Sequence, residues 1–227
     1  MQKRAVILLS GGIDSTTCLA IAKNAGFIPY ALSFNYGQRS QVELQAASRI
    51  ATQLTVAEHR VVDLTDIGRF GGSALTDHRQ ALQITDHDHR IPTSYVPGRN
   101  TVFLSIALSW AEALAADAIF IGVHDDDTMC YPDCRPAYIE AYQAMANLAN
   151  KQGVEGRPIR IETPILHMKK SAIITLGTEL GVDYSETVTC YQADSDGRAC
   201  GNCLSCTTRR DSFLAAHVND PTRYLTT

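Results

Sequence analysis

Short apolar runs and stretches of helical spacing alternate along most of this chain. The first run is Ala5-Val6-Ile7-Leu8-Leu9, ended by Ser10-Gly11-Gly12. A brief unbroken apolar run closed by turn residues is the pattern of a strand buried on both faces. Residues 16–22 then open a helix that Asn24-Ala25-Gly26 closes. Residues 27–34 read as a second strand. Residues 40–54 have helical periodicity, with Val42, Leu44, Ala47, Ile50 and Ala51 on one face. A third strand is expected over 58–64, a helix over 101–115 capped by Asn100, and a strongly buried strand over 118–123. A helix over 137–149, a short strand over 160–166, a helix over 167–180 stopped by Gly181, and a last helix over 207–218 complete the pattern. This alternation predicts an α/β fold, a Rossmann-like parallel sheet with helices on both faces.

Residues 65–97 interrupt the alternation. They hold Gly68, Gly71, Gly72, Pro92 and Pro97 and the polar run Thr85-Asp86-His87-Asp88-His89-Arg90. The stretch reads as a long loop, or lid, over the C-terminal edge of the sheet. His78, His87 and His89 lack a fixed ligand spacing, so a solvated polar loop is preferred to a metal site there.

Composition narrows the class. The chain has 227 residues, 45% of them hydrophobic, enough for one sizeable domain and a small appendage. A net charge of −4 argues against a general nucleic-acid or membrane-surface binder. The first apolar run is too short for a signal-peptide core, and no stretch has the length of a membrane span, so a cytoplasmic protein is expected. Seven cysteines in a reducing compartment point to metal binding or reactive thiols before disulfides.

The chemistry starts at Ser10-Gly11-Gly12-Ile13-Asp14-Ser15. Strand, glycine turn and helix in succession expose backbone N–H groups at the positive end of a helix dipole, which is a phosphate pocket. It is neither a Walker loop, since no lysine stands in the helix's first turn, nor the three-glycine dinucleotide fingerprint. Asn35-Tyr36-Gly37-Gln38 lies at the C-terminal end of the second strand, either meeting adenine or ribose or serving as a polar turn. Arg99 stands at a helix start, where its fork could grip phosphate or carboxylate. In the loop after the 118–123 strand, Asp133 could accept from a base's N–H pair and Arg135 could clamp a carboxylate. A capped turn is the plainer account of both. Lysines at a helix start are not placed there by the dipole, so Lys169 or Lys170 is a phosphate candidate. Cys134 reads as structural.

The second strong signal is Cys190-x9-Cys200-x2-Cys203-x2-Cys206. Four thiolates can close a tetrahedral zinc site and leave no open position, so one structural zinc per subunit is expected. Arg198, Arg209 and Arg210 are available to balance its charge.

Ser-Gly-Gly-x-Asp-Ser resembles the pyrophosphate loop of the ATP pyrophosphatase (PP-loop) superfamily, which implies an adenine nucleotide alpha-hydrolase-like fold. Combined with Val96-Pro97-Gly98-Arg99-Asn100-Thr101, Tyr131-Pro132-Asp133-Cys134-Arg135-Pro136 and the four cysteines, the chain resembles the 7-cyano-7-deazaguanine synthase family over nearly its whole length. The resemblance implies conversion of 7-carboxy-7-deazaguanine and ammonia to the nitrile at the expense of ATP, in queuosine biosynthesis. It implies ATP contacts from Leu9, Ser10, Gly11, Gly12, Ile13, Asp14, Ser15, Thr16, Thr17 and Cys18, and zinc on Cys190, Cys200, Cys203 and Cys206. Mg²⁺ would accompany ATP, with Asp14 as a ligand unless it caps its own helix. Substrate contacts are expected from Arg99, Asp133 and Arg135. The expected division is residues 1–185 as the ATP-binding α/β domain and 186–227 as a zinc-binding helical segment. The partners are small molecules, with no stable nucleic acid and no membrane; a homodimer is compatible with the sequence. Two rivals stand beside this. One is another PP-loop enzyme such as a tRNA sulfur transferase, with Cys130 or Cys134 carrying sulfur. The other is a zinc module binding nucleic acid through Arg198, Arg209 and Arg210.

Overall fold

The computed structural model describes residues 2–82 and 91–225. Five strands form one parallel sheet: β1 (Arg4–Leu8), β2 (Ile28–Asn35), β3 (Glu58–Asp63), β4 (Ala118–Phe120) and β5 (Arg160–Glu162), in the order β3-β2-β1-β4-β5. Nine α-helices are described: α1 (Ile13–Asn24), α2 (Val42–Gln53), α3 (Thr65–Arg69), α4 (Arg99–Ala113), α5 (Asp125–Cys130), α6 (Pro136–Ala149), α7 (Lys151–Val154), α8 (Lys170–Glu179) and α9 (Leu204–Ala215).

Successive side chains of a strand point to opposite faces, and the first apolar run shows the result. Val6 and Leu8 pack with Leu104, Leu108 and Trp110 of α4 and Ile139 and Tyr142 of α6. Ala5, Ile7 and Leu9 pack on the other face with Leu19 of α1 and Ile50 of α2. A run apolar at every position therefore serves two helical layers, as expected. Burying a Leu or Ile side chain is worth about 1.5–3 kcal/mol, so β1 is the main anchor of both layers.

The C-terminal segment is bound into this body. Phe213 of α9 packs with Ile13 and Cys18 of α1 and Ile173 and Ile174 of α8. Arg209 is 2% exposed. It donates to Thr187 Oγ1 (2.9 Å), to the Tyr184 carbonyl (2.9 Å) and to Asp220 Oδ1 (3.2 Å). Arg198 pairs with Asp194 and Asp196. Arg209 is held by its Thr187, Tyr184 and Asp220 partners and also acts electrostatically on Cys206 of the cysteine cluster.

Several boundaries differ from the sequence pattern for local reasons. α4 begins at Arg99 because Gly98, at φ 65°, turns the chain into it. Asn100 is therefore not the cap. It lies inside the first turn and donates to the Asp133 carbonyl (3.0 Å) and Cys134 Sγ (3.3 Å). β4 ends at Phe120, although Ile121 still donates to the Glu162 carbonyl (3.0 Å). The loop after it contains α5, whose first turn carries Asp125, Asp126 and Asp127, favourably placed for the helix dipole, with His124 and Asp127 forming a reciprocal cap. α7 is opened by Asn150, which caps it by accepting from the Gly153 N–H (2.8 Å). Within the expected 65–97 loop the structure adds α3 and a segment clamped by Arg39, whose guanidinium donates to the carbonyls of Ala74 (2.6 Å) and Asp77 (2.9 Å). The part of that loop at 83–90, including His87 and His89, lies outside the described residues.

Candidate active site

In an open parallel sheet, ligands bind beyond the C-terminal strand ends where the order reverses direction. Here that point lies between β1 and β4. A cavity of about 810 Å³ opens there. The loop after β1 forms one wall and Gly122, Val123 and His124 after β4 form another.

The loop is held in shape by its own hydroxyls and by close backbone packing. Gly11 has φ 87°, and a Cβ there would fall 2.4 Å from the Glu43 carbonyl. Gly122 brings its strand end against α1, where a Cβ would meet the Asp14 carbonyl carbon at 3.0 Å and Ser15 N at 3.1 Å. Ser10 and Ser15 hydroxyls lie 3.0 Å apart, Ser15 Oγ accepts from Ser10 N (3.1 Å), and Ser10 Oγ accepts from Gly12 N (3.3 Å). No side chain caps α1, which leaves its first N–H groups directed at the cavity. Leu9, Ser10, Gly12, Ile13, Asp14 and Ser15 line it. Gly11 contributes its backbone, its carbonyl accepting from Val188 N (2.9 Å). Thr16, Thr17 and Cys18 are buried beneath the loop. Thr16 bonds the Gly12 carbonyl (2.7 Å), Thr17 bonds Tyr184 Oη (2.8 Å), and burial pushes the Cys18 thiol up. Those three support the loop from behind.

A charged cluster faces the loop. Lys170 Nζ donates to Asp14 Oδ2 (2.5 Å) and lies 3.3 Å from His124 Nε2. His124 Nε2 is also 3.4 Å from Asp127 Oδ2. Burial pushes the Asp14 carboxyl up, but Lys170 and His124 outweigh it and hold it below the usual value. For Asp127 burial prevails over the same two neighbours, and its carboxyl is raised. Of the two candidate lysines, Lys170 makes this contact, though Lys169 also lines the cavity. Asp14 does not cap its helix, and its Oδ1 is buried with no hydrogen-bond partner. An anionic oxygen without a partner suits a hard cation such as Mg²⁺.

Opposite the loop, Arg99 lies over the Tyr36 ring (5.6 Å) and donates to its hydroxyl (3.3 Å). Glu43, Phe103 and Tyr131 also line the cavity. Asp133 and Arg135 do not line it. The Asp133 carboxylate accepts from Asn100 N (3.0 Å), which ties the 3-10 turn Pro132–Cys134 to the start of α4. Arg135 is exposed and donates to the Thr128 carbonyl (3.3 Å). Sequence reasoning missed Glu43 and Tyr191. A glutamate in the first turn of an amphipathic helix looks like a dipole complement, and Tyr191 carries no motif. Burial holds the Tyr191 phenol well above its ordinary value.

The four cysteines converge. Their Sγ atoms all lie within 4.8 Å of one another. Cys190–Cys203 and Cys200–Cys206 are 3.9 Å apart and Cys203–Cys206 3.5 Å. A tetrahedral ion with bonds of about 2.3 Å sets its sulfurs about 3.8 Å apart, so the donor set fits zinc. Backbone N–H groups of Gln192 and Cys200 point at Cys190 Sγ (3.3 and 3.2 Å), as outer partners of a thiolate do. The centre adjoins the cavity. Thr189 and Tyr191, on either side of Cys190, both line it, and Ser205 Oγ donates to the Thr189 carbonyl (2.6 Å).

Comparisons with known proteins agree with this geometry. Solved structures of similar fold include the NMN synthetase of Francisella tularensis, with TM-score 0.51 and 15% identity over 96% of this chain and 78% of that one. Another is a 4-thiouridine synthetase–RNA complex with bound ATP, with TM-score 0.53 and 15% identity over 95% of this chain and 50% of that one. These likenesses show a shared fold. Among curated proteins, a 7-cyano-7-deazaguanine synthase of Saccharophagus degradans is 59% identical over 98% of both chains. One of Coxiella burnetii is 55% identical over 99% of both. The family model described as "Queuosine biosynthesis protein QueC" matches residues 4–217. With near-complete coverage from both sides, the chain belongs to the QueC family of queuosine biosynthesis proteins.

Proposed function

We propose that this protein is an ATP-using 7-cyano-7-deazaguanine synthase, converting 7-carboxy-7-deazaguanine and ammonia to the nitrile. The observation that carries the reading is the single cavity wall where the Ser10–Ser15 backbone, Lys170 and Asp14 meet, in a chain 59% identical to a named synthase. Residues 1–185 supply the nucleotide site and residues 186–227 the zinc centre and part of the cavity wall.

The chemistry follows from the poor leaving ability of hydroxide. The substrate carboxylate attacks the α-phosphorus of ATP, a P–O bond breaks, and pyrophosphate leaves. Loop N–H groups and Lys170 face the charge that develops on it. Ammonia attacks the acyl carbon, AMP departs, and a proton is lost to give the amide. The amide oxygen then attacks the α-phosphorus of a second ATP at the same site and expels pyrophosphate; the C–O bond breaks, AMP leaves with that oxygen, and loss of both N–H protons gives the nitrile. Asp14 would hold Mg²⁺, which supplies charge neutralisation across the phosphates. Cys190, Cys200, Cys203 and Cys206 would hold a structural zinc.

Relatives covering the full chain favour this reading over tRNA sulfur transfer. Burial also pushes the Cys134 thiol up, the wrong direction for a sulfur carrier. Incubation of zinc-loaded protein with 7-carboxy-7-deazaguanine, ammonia and ATP, read by mass spectrometry, should show the amide and then the nitrile. Neither product from folded, metal-loaded enzyme would overturn the proposal.

A further inference from the structure

Two polar groups that line the cavity are left without work by the reaction scheme. Glu43 stands in the first turn of α2, where its backbone packs on Gly11 of the loop, and it lines the cavity. Among the described residues no donor hydrogen-bonds to that carboxyl, and Arg99 is the charge that acts on it. Arg99 likewise uses little of its fork. Of five N–H donors on a guanidinium, its side chain directs one to Tyr36 among the described residues. Phe34 and Phe103 stack at 3.9 Å beside them, and Tyr36 tilts against Phe103 at 5.7 Å, so the polar pair is set in an aromatic wall.

A free carboxyl acceptor beside free guanidinium donors is complementary to a planar edge carrying both donors and an acceptor. The pyrimidine edge of 7-deazaguanine has this pattern: the O6 acceptor, then N1–H, then the 2-amino N–H. Adenine offers only one donor and one acceptor on its edge. It would leave one Glu43 oxygen unpaired in a partly buried wall, which is costly.

We propose that Glu43 and Arg99 select the substrate by reading this edge, Glu43 accepting from N1–H and the 2-amino group while Arg99 donates to O6. The proposal rests on the synthase reading and adds which side chains recognise its base. Burial raises the Glu43 carboxyl to about 8, with Arg99 opposing. Burial thus favours the protonated carboxyl, and two N–H donors from a ligand would favour the ionised form.

The test uses full-length, zinc-loaded protein, wild type and the variants Glu43→Ala and Glu43→Gln, with melting curves to confirm folding. Calorimetry measures binding of 7-carboxy-7-deazaguanine, of its analogue lacking the 2-amino group, and of a non-hydrolysable ATP analogue. Wild type should bind the substrate about 10- to 100-fold more tightly than the analogue. Glu43→Ala should lose that factor for the substrate and treat both deazapurines alike, with nucleotide affinity held within about twofold. Glu43→Gln, which presents one donor where an acceptor is needed, should be no better. A variant that loses nucleotide affinity instead would assign the pair to adenine and overturn the proposal. So would a variant that still discriminates by the 2-amino group. Wild type that neither binds nor converts the deazaguanine acid would defeat the synthase reading itself.

Discussion

The two sides of the cavity are built by opposite means. At the phosphate side six consecutive residues do the work, and their hydroxyls are spent on one another, leaving backbone N–H groups for the ligand. For the base, Tyr36, Glu43, Arg99 and Tyr131 come from four separate stretches of the chain, and Glu43 and Arg99 keep most of their hydrogen-bonding capacity unspent. Phosphate is common to every nucleotide, so a contiguous, self-braced turn suffices to bind it. Choosing one base needs groups at fixed spacing in three dimensions, which only the assembled fold supplies. The largest effect should therefore come from the phosphate side. Lys170→Ala removes the cation paired with Asp14 and should lower kcat about 10²–10³-fold, as loss of one charge-stabilising donor does. Steady-state rates with saturating ATP measure it, and metal content should equal that of wild type. A variant within about twofold of wild type would move the phosphate chemistry away from Lys170.

The four-cysteine centre tests whether the phosphate side is as self-contained as its sequence suggests. Val188, two residues before Cys190, donates to the Gly11 carbonyl, and Thr189 packs near Gly12. Cys203→Ser should weaken metal binding by at least the roughly 10–100-fold seen when even an outer partner of a metal ligand is lost. Melting temperature should drop with it, and nucleotide affinity should fall although no cysteine of the set touches the loop. Zinc content and nucleotide titration on the same sample decide this. Lost zinc with unchanged nucleotide affinity would show that the loop stands alone.

How much could be read in the sequence follows the same division. The alternation of strands and helices, the loop at Ser10–Ser15 and the four cysteines were all legible, because each is written in neighbouring residues or fixed spacings. Lys170 was half legible, since a lysine at a helix start breaks a dipole preference. Asp133 and Arg135 take local structural partners. A polar turn rich in charge resembles a ligand clamp, but Asp133 is consumed in pinning the start of α4 and Arg135 faces solvent. Arg39 was invisible for the reverse reason. Its clamp on the Ala74 and Asp77 carbonyls joins segments 35 and 38 residues apart, and no local pattern marks it. Glu43 shares that invisibility.

A smaller effect tests the bracing beneath the loop. Tyr184 Oη lies 2.8 Å from Thr17 Oγ1 and donates to the Ile173 carbonyl (3.2 Å), joining α1 to α8. Tyr184→Phe removes the hydroxyl and leaves Thr17 with its Ile13 carbonyl bond (2.9 Å). The expected cost is about 1–2 kcal/mol of stability, read by urea titration, with KM for ATP unchanged. A raised KM would place the brace within the binding machinery and blur the distinction between the two sides.

The smallest effect belongs to the unspent carboxyl and appears without any ligand. Glu43 titrates at 4.5 in the unfolded chain and is raised by burial to about 8 in the folded one. Below pH 4.5 it is protonated in both states and costs nothing. Between 4.5 and about 8 the unfolded chain releases a proton that the folded chain retains, so stability declines as pH rises through this window and levels off above it. Glu43→Gln has no proton to release. Its melting temperature should exceed that of wild type by about 2–4 °C near pH 8, the shift expected for about 1 kcal/mol in a chain of this size, and the two curves should converge toward pH 4.5. Parallel curves across the window would mean that water already solvates the carboxyl. The selective side of the cavity would then be as fully satisfied as the phosphate side, and the contrast between them would be lost.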